Sequence, residues 1–383
     1  MASVWDNFSK LAELSLNFKD LSGTTGGIYA NGRNRIEVQI AVRVLGSFTE
    51  NGNTVTKPIT LTENDLKDNI YFCDYLTGGP LDSKWTVWDS ANEYTKGFRT
   101  RQSVSTQQSN SITKSLDTEA VHVTVNAVGT NPDVGYISKY FSCTKGNSEK
   151  TFAVGINIPG VGNFDTSKNG TTTWNGPGGV GKSRFISPAA LTVTATPELV
   201  YAEKNLIIEK AYRRNETKKR AVFKSYASGW YATKEFEAYY DNYYITVENG
   251  IQRIDLHSYG GEPTNKWIAE LTSNHNNQHM IVVHPFGTGQ QTNTFGFWGT
   301  VNNGSMNYNF ELEQYVTFND RPGAFCISQL TFMCNSIWDL PDGVGIGGWT
   351  FNNWFDLYDT YGNHGRFKPV YDDSHQFIEI HLA

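Results

Sequence analysis

The apolar positions of this chain change period after its first few turns. Trp5, Phe8, Leu11, Leu14 and Leu16 recur at near-helical intervals and predict a short helix over residues 6–16. Ile36, Val38, Ile40, Val42 and Val44 then alternate with Glu37, Gln39, Ala41 and Arg43, which predicts a half-buried strand. Asn51-Gly52 is a turn signal. Thr62 and Asp65 have capping-box spacing and predict one helical turn before a strand at 69–75. Further strands are expected at 121–128, 134–141, 150–158 and 190–196, with Ser- and Gly-rich loops at 103–115 and 160–181. In the second half, EFEAYY-DN-YYITVE-NG-IQRIDLH reads as a three-stranded meander turning at Asp241-Asn242 and Asn249-Gly250. A hairpin follows around residues 274–277, then strands at 310–318, 325–333, 349–357 and 377–382.

Composition agrees with strands. Of 383 residues, 38% are hydrophobic and 18% charged, below the averages of roughly 45–50% and about 25%. The difference is made up by 36 Gly and by polar residues. A coiled coil is excluded by this profile, and disorder by 22 Phe, 20 Tyr and 10 Trp. A boundary is expected near residue 200, at Pro197, beyond which aromatics become dense. The expected fold is all-β, with two β-sandwich domains of immunoglobulin-like or jelly-roll-like form and a short N-terminal helix. The divisions are residues 1–22 (helix and linker), 23–200 (immunoglobulin-like sandwich with long loops) and 201–383 (aromatic-rich sandwich or jelly roll).

The stretch GGIYANGRNRIEVQIAVRV, residues 26–44, resembles the first strands of bacterial immunoglobulin-like repeats of the invasin and intimin adhesins. The resemblance is a small-residue turn, an Asn-Gly, and an alternating β-branched strand. It implies an immunoglobulin-like sandwich and no catalytic residue, and it is confined to this opening stretch.

A net charge of −6 argues against nucleic-acid partners. No run approaches the ~20 apolar residues of a membrane span. Residues 1–18 lack the apolar core of a secretory signal. The expectation is therefore synthesis in the cytoplasm without a signal peptide, with release or incorporation into an extracellular particle as the route outside. Cys73, Cys143, Cys326 and Cys334 are too sparse for a disulfide framework and read as buried small hydrophobes, with a bridge within Cys73/Cys143 or Cys326/Cys334 left open.

The motifs that mimic chemistry lack its setting. Residues 176–183, GPGGVGKS, fit a phosphate-binding P-loop, but no buried strand precedes them and Pro188 interrupts a following helix. Residues 343–348 fit G-x-G-x-x-G but lead into an aromatic strand. His275, His279 and His284 read as a polar hairpin tip rather than a zinc site. Asp372, Asp373 and His375 read as an ordinary turn. Glu311 and Glu313 share one face of a predicted strand, as in some glycoside hydrolases, but Tyr315 stands where a third acid would be. No catalytic residue, cofactor or metal is expected.

Two surfaces are candidates for binding. Arg213, Arg214, Lys218, Lys219 and Arg220, with Lys210 and Lys224, form a basic cluster around an expected hairpin turn at Asn215-Glu216, suited to an anionic surface. The same charges also guard a strand against edge pairing. Tyr239, Tyr240, Tyr243 and Tyr244 flank an expected turn, so two should face away from the core, and Trp349, Trp354 and Tyr358 crowd a second region. The expectation is a non-enzymatic bacterial or phage structural or adhesive protein that self-assembles or binds a glycan or cell surface. The alternatives are a carbohydrate-binding module or lectin, a toxin released without a signal peptide, and a glycoside hydrolase.

Overall fold

The computed structural model describes residues 3–99, 132–168, 170, 190–212, 220–225, 231–234, 237–257, 263–264, 268–274, 277–303, 306–333, 353–372 and 377–383. Its regular structure is almost entirely strand. It divides into two compact units, Met1–Glu198 and Leu199–Ala383.

The first unit contains β1 (Phe8–Phe18), β2 (Thr25–Tyr29), β3 (Ile36–Glu50), β4 (Asn53–Ile59), α1 (Glu63–Lys67), β5 (Ile70–Asp74), β6 (Trp85–Trp88), β7 (Gly135–Cys143), β8 (Ser148–Ile158), β9 (Gly162–Asp165) and β10 (Leu191–Thr196). One sheet has the order β1-β3-β7-β6, with β4 folding back on β3; the other has the order β2-β10-β8-β5, with β9 on β8. Leu14, Val38, Ile40, Phe141, Phe152, Val154 and Val193 fill the space between them. Several local signals decide this unit. Ile36 to Val44 alternate inward as expected. Asn51 and Gly52 take φ of 51° and 80°, the left-handed pair that a tight β3–β4 turn requires. Thr62 and Asp65 cap α1 reciprocally.

The expected N-terminal helix at 6–16 is not formed; Asp6 and Asn7 lie in a turn and residues 8–16 belong to β1, which pairs antiparallel with β3. Irregularities between Phe8 and Lys10 and between Leu11 and Glu13 shift the phase of the strand. They bring Leu11 and Leu14 onto the same buried face, three residues apart, so that a bulged strand imitates helical spacing.

The second unit contains β11 (Ile207–Tyr212), β12 (Arg220–Ser225), β13 (Tyr231–Lys234), β14 (Glu237–Thr246), β15 (Ile251–His257), β16 (Pro263–Thr264), β17 (Ile268–Asn274), β18 (Asn277–Val283), β19 (Gln291–Asn303), β20 (Met306–Phe318), β21 (Phe325–Met333), β22 (Trp354–Asp359), β23 (His364–Tyr371) and β24 (Ile378–Leu382). They form three stacked sheets, with β11-β14-β21-β18-β17 in the middle. One face of the middle sheet presents Tyr240, Tyr244, Met280, Val282, Cys326 and Leu330 to Phe295, Val316 and Phe318 of the β13-β12-β20-β19 sheet. The opposite face presents Tyr243, Ile245, Ile281, Val283, Phe325 and Ile327 to Leu256, Phe355, Leu357, Phe367 and Ile380 of the β16-β15-β22-β23-β24 sheet. A strand covered on both faces has no reason to alternate, and β14 accordingly carries buried rings and buried polar residues side by side.

The expected meander is accordingly different. Asp241 and Asn242 are not a turn but lie buried within the continuous strand β14. Asn249-Gly250 does turn the chain, with Gly250 at φ 73°, but it delivers β15 to the facing sheet rather than to β14. The hairpin at 274–277 forms as expected between β17 and β18. His279, expected at its exposed tip, is buried instead, with Nδ1 3.2 Å from Thr331 Oγ1.

Candidate functional site

The outward face of the β15-β22-β23 ladder is the most chemically loaded surface among the described residues. Phe355, Leu357 and Phe367 point into the core. Period two then places Trp354, Asp356 and Tyr358 on the other face, beside Arg253, Asp255 and His257 of β15 and His364 and Arg366 of β23. The register sets Arg253, Tyr358 and His364 in one row, and Asp255, Asp356 and Arg366 in the next. Every one of these positions carries a ring, a cation or a carboxylate.

Asp356 is the centre. Its side chain is only 6% exposed. Arg366 donates to it through Nε at 2.7 Å and Nη2 at 3.0 Å, the fork geometry suited to a carboxylate. His364 Nε2 lies 3.1 Å from one carboxylate oxygen and His257 Nε2 3.0 Å from the other. Burial pushes the Asp356 carboxyl up, but the bonds from Arg366 and His364, with the Arg366 charge, leave it below its ordinary value. The same bond to Asp356 raises Arg366. A carboxylate held this way is an anchor for cations and not a free acid or base.

The rings brace the basic side chains. His257 stacks on Trp354 at 5.2 Å and 8°. Arg366 lies 5.7 Å from the Trp354 ring, and Arg253 lies 4.4 Å from that of Tyr358, which also packs against His364 at 4.8 Å. Such contacts fix guanidinium groups in place. The β22–β23 turn that sets the register is fixed in turn by Asp359. This buried carboxylate accepts from Tyr201 Oη, Asn249 Nδ2 and Asn363 Nδ2 at 2.8 Å each, and from the backbone of Tyr361 and Asn363.

Of the aromatics singled out in the sequence, Trp354 and Tyr358 meet on this face. Tyr240, Tyr243 and Tyr244 do not face away from the core; they are buried on the two covered faces of the middle sheet. Tyr239 is half-buried on the same strand. Trp349 lies outside the described residues. The tyrosine hydroxyls are spent internally. Tyr243 donates to Gln329 Oε1 at 2.9 Å, and Tyr244 donates to Asp320.

Arg213, Arg214, Lys218 and Lys219 lie outside the described residues, and Arg220 opens β12 opposite Glu313. Asn215-Glu216, where a hairpin turn is expected, also lie outside the described residues, and the flanking strands β11 and β12 belong to different sheets. Lys210, the described cation of the cluster on β11, is turned inward. Its Nζ lies 3.4 Å from Asp241, with the rings of Tyr212, Tyr243 and Phe377 around it. Glu311 and Glu313 occupy alternate positions of β20, paired with Val222 and Arg220 of β12, and their side chains lie outside the described residues. The motifs at 176–183 and 343–348, the strand at 121–128, His275, Asp373, His375 and Cys334 lie outside the described residues. Cys73 and Cys143 are buried free thiols, and Cys326 is buried; burial, with Asp165 and Asp74 nearby, pushes Cys73 up to about 12.

Arg253, Asp255, His257, Asp356, His364 and Arg366 were not candidates from the sequence. Their signal was present as polar residues at alternate positions in RIDLH, WFDLYD and HGRF. What joins them is the β15–β22 pairing, across about a hundred residues of chain. Among the described residues no group of three His, Cys, Asp or Glu side chains is placed to hold a metal ion, and no helix is long and apolar enough to cross a membrane. Comparison with family models, curated proteins and solved structures finds no match to this chain.

Proposed function

We propose that this is a non-enzymatic protein that binds an external surface, of a glycan-bearing kind, through the outward face of β15, β22 and β23. The observation that carries the reading is the ring-braced charge cluster around Asp356, on a rigid sheet. Binding sites favour groups whose geometry is set before the ligand arrives. Trp354 and Tyr358 are side chains of the type enriched where proteins grip partners. The test is retention of the labelled full chain on a glycan array and on intact cells. The wild type is expected to be retained, and the double variant Trp354→Ala/Tyr358→Ala to lose about ten-fold in affinity while still folded. A chain that no array glycan and no cell surface retains would sink the reading.

A second reading, self-assembly, is favoured by one specific feature. β11 is the outermost strand of the middle sheet and exposes Ile207, Ile208 and Tyr212. An exposed apolar edge strand is a template for pairing with another chain.

A further inference from the structure

We propose that the face around Asp356 takes a carboxylate-bearing sugar, an acidic glycan of the uronate or sialate type, with Arg366, Arg253 and His364 as its recognition groups. This rests on the surface-binding reading above and names the ligand class for it. The first argument is the depth at which each group sits. Asp356, 6% exposed, lies beneath, while Arg366 at 48%, Arg253 at 39% and His364 at 32% stand above it. Asp255, the carboxylate at the outer level, lies 3.2 Å from Arg253 Nε. The outer level therefore carries two guanidinium groups, Arg366 and Arg253, against the single Asp255 carboxylate, on a chain whose net charge is −6. Electrostatic complementarity of this kind selects partners more than it adds raw affinity.

The second argument is preorganisation. Arg366 uses Nε and Nη2 on Asp356, which leaves the Nη1 hydrogens for a second oxyanion. The buried carboxylate thus holds the guanidinium at a fixed place, and a ligand carboxylate can complete a charge-assisted pair without ordering a loose side chain. The third argument is the rings. The faces of Trp354 and Tyr358 are covered by His257, Arg253 and His364, so the two half-buried rings hold the recognition groups in place and border the site. Exposed cations are screened by salt, so retention should fall as ionic strength rises.

The direct test needs no variant. The full chain is presented with polygalacturonate and its methyl ester, and with sialylated and unsialylated lactosamine. The acidic member of each pair is expected to bind at least about ten-fold more tightly. Equal binding of the acidic and neutral members overturns this inference and leaves surface binding standing. Failure to bind any glycan or cell surface removes both. The site is tested by Arg366→Gln, expected to lose about ten-fold for the acidic glycan, and by Arg366→Lys, which keeps the charge without the fork and should not recover it. If Arg366→Gln does not fold, Arg253→Gln is expected to weaken acidic binding about three-fold with its fold intact, and unchanged binding overturns the assignment of the site. A folded Arg366→Gln chain that binds the acidic glycan as well as wild type overturns the assignment of the site.

Discussion

At the scale of single residues, the second unit places polar side chains deep inside its stack and satisfies them in a chain. Ser328 Oγ donates to Asn242 Oδ1 at 2.6 Å, so His284 Nε2 is the donor in its 2.9 Å bond to Ser328 Oγ. Asn242 Nδ2 passes the chain on to Tyr244 Oη at 3.0 Å and to the Thr317 carbonyl at 2.8 Å. His284 lies against Phe318 with ring centroids 3.7 Å apart, and burial lowers it to about 3. A histidine whose folded value lies below its unfolded value of about 6.5 binds fewer protons folded than unfolded between those two points. Stability therefore falls as pH drops through that window, by up to about 1.4 kcal/mol per pH unit. Urea midpoints of wild type and His284→Gln, followed from neutral pH downward, should show a shallower acid slope in the variant. Equal slopes would mean that His284 is not buried neutral. None of this was legible in the sequence, where His284 read as part of a polar tip; its burial is imposed by the third sheet, which no local pattern announces.

At the scale of elements, legibility followed the number of covered faces. β3, with one face in the core, alternates and could be read directly, as could the β3–β4 turn and the α1 cap. β14, covered on both faces, could not, and its Asp241-Asn242 pair imitated a turn. β1 misled because bulges gave a strand helical spacing. The candidate face was half legible: Trp354 and Tyr358 stood out as aromatics, but their charged neighbours come from strands joined only by long-range pairing. Two predictions belong to elements. Gly365 of β23 faces Tyr201 so closely that an added Cβ would lie 2.6 Å from the Tyr201 Cβ and 2.9 Å from its carbonyl oxygen. Tyr201 cannot retreat freely, since its backbone N donates to the His364 carbonyl at 3.0 Å. Gly365→Ala should cost about 1–3 kcal/mol in chemical denaturation, and an unchanged midpoint would contradict this packing. Separately, if β11 pairs with a second copy, Ile208→Lys should shift size-exclusion chromatography with light scattering toward the monomer. A wild-type chain that is strictly monomeric at high concentration would remove the self-assembly reading.

At the scale of the whole molecule, each unit has its own apolar core, one in Met1–Glu198 and two in Leu199–Ala383 separated by the middle sheet. The surplus of aromatics in the second half therefore has a physical destination. Among the described residues, Tyr240, Tyr243, Tyr244, Phe295, Phe318, Phe325, Phe355 and Phe367 fill the two cores of a three-layer stack, while Tyr212, Tyr315 and Phe377 are exposed. Exposed Trp88, over which Arg35 lies at 4.1 Å, and exposed Tyr315 offer internal controls away from the candidate face. Hydroxyl-radical footprinting of the full chain, free and retained on a glycan surface, uses all of these rings at once. Oxidation should fall at Trp354 and Tyr358 on binding while Trp88 and Tyr315 keep their reactivity. Protection at Trp88 or Tyr315 with Trp354 and Tyr358 unchanged would place the binding surface elsewhere and contradict the account.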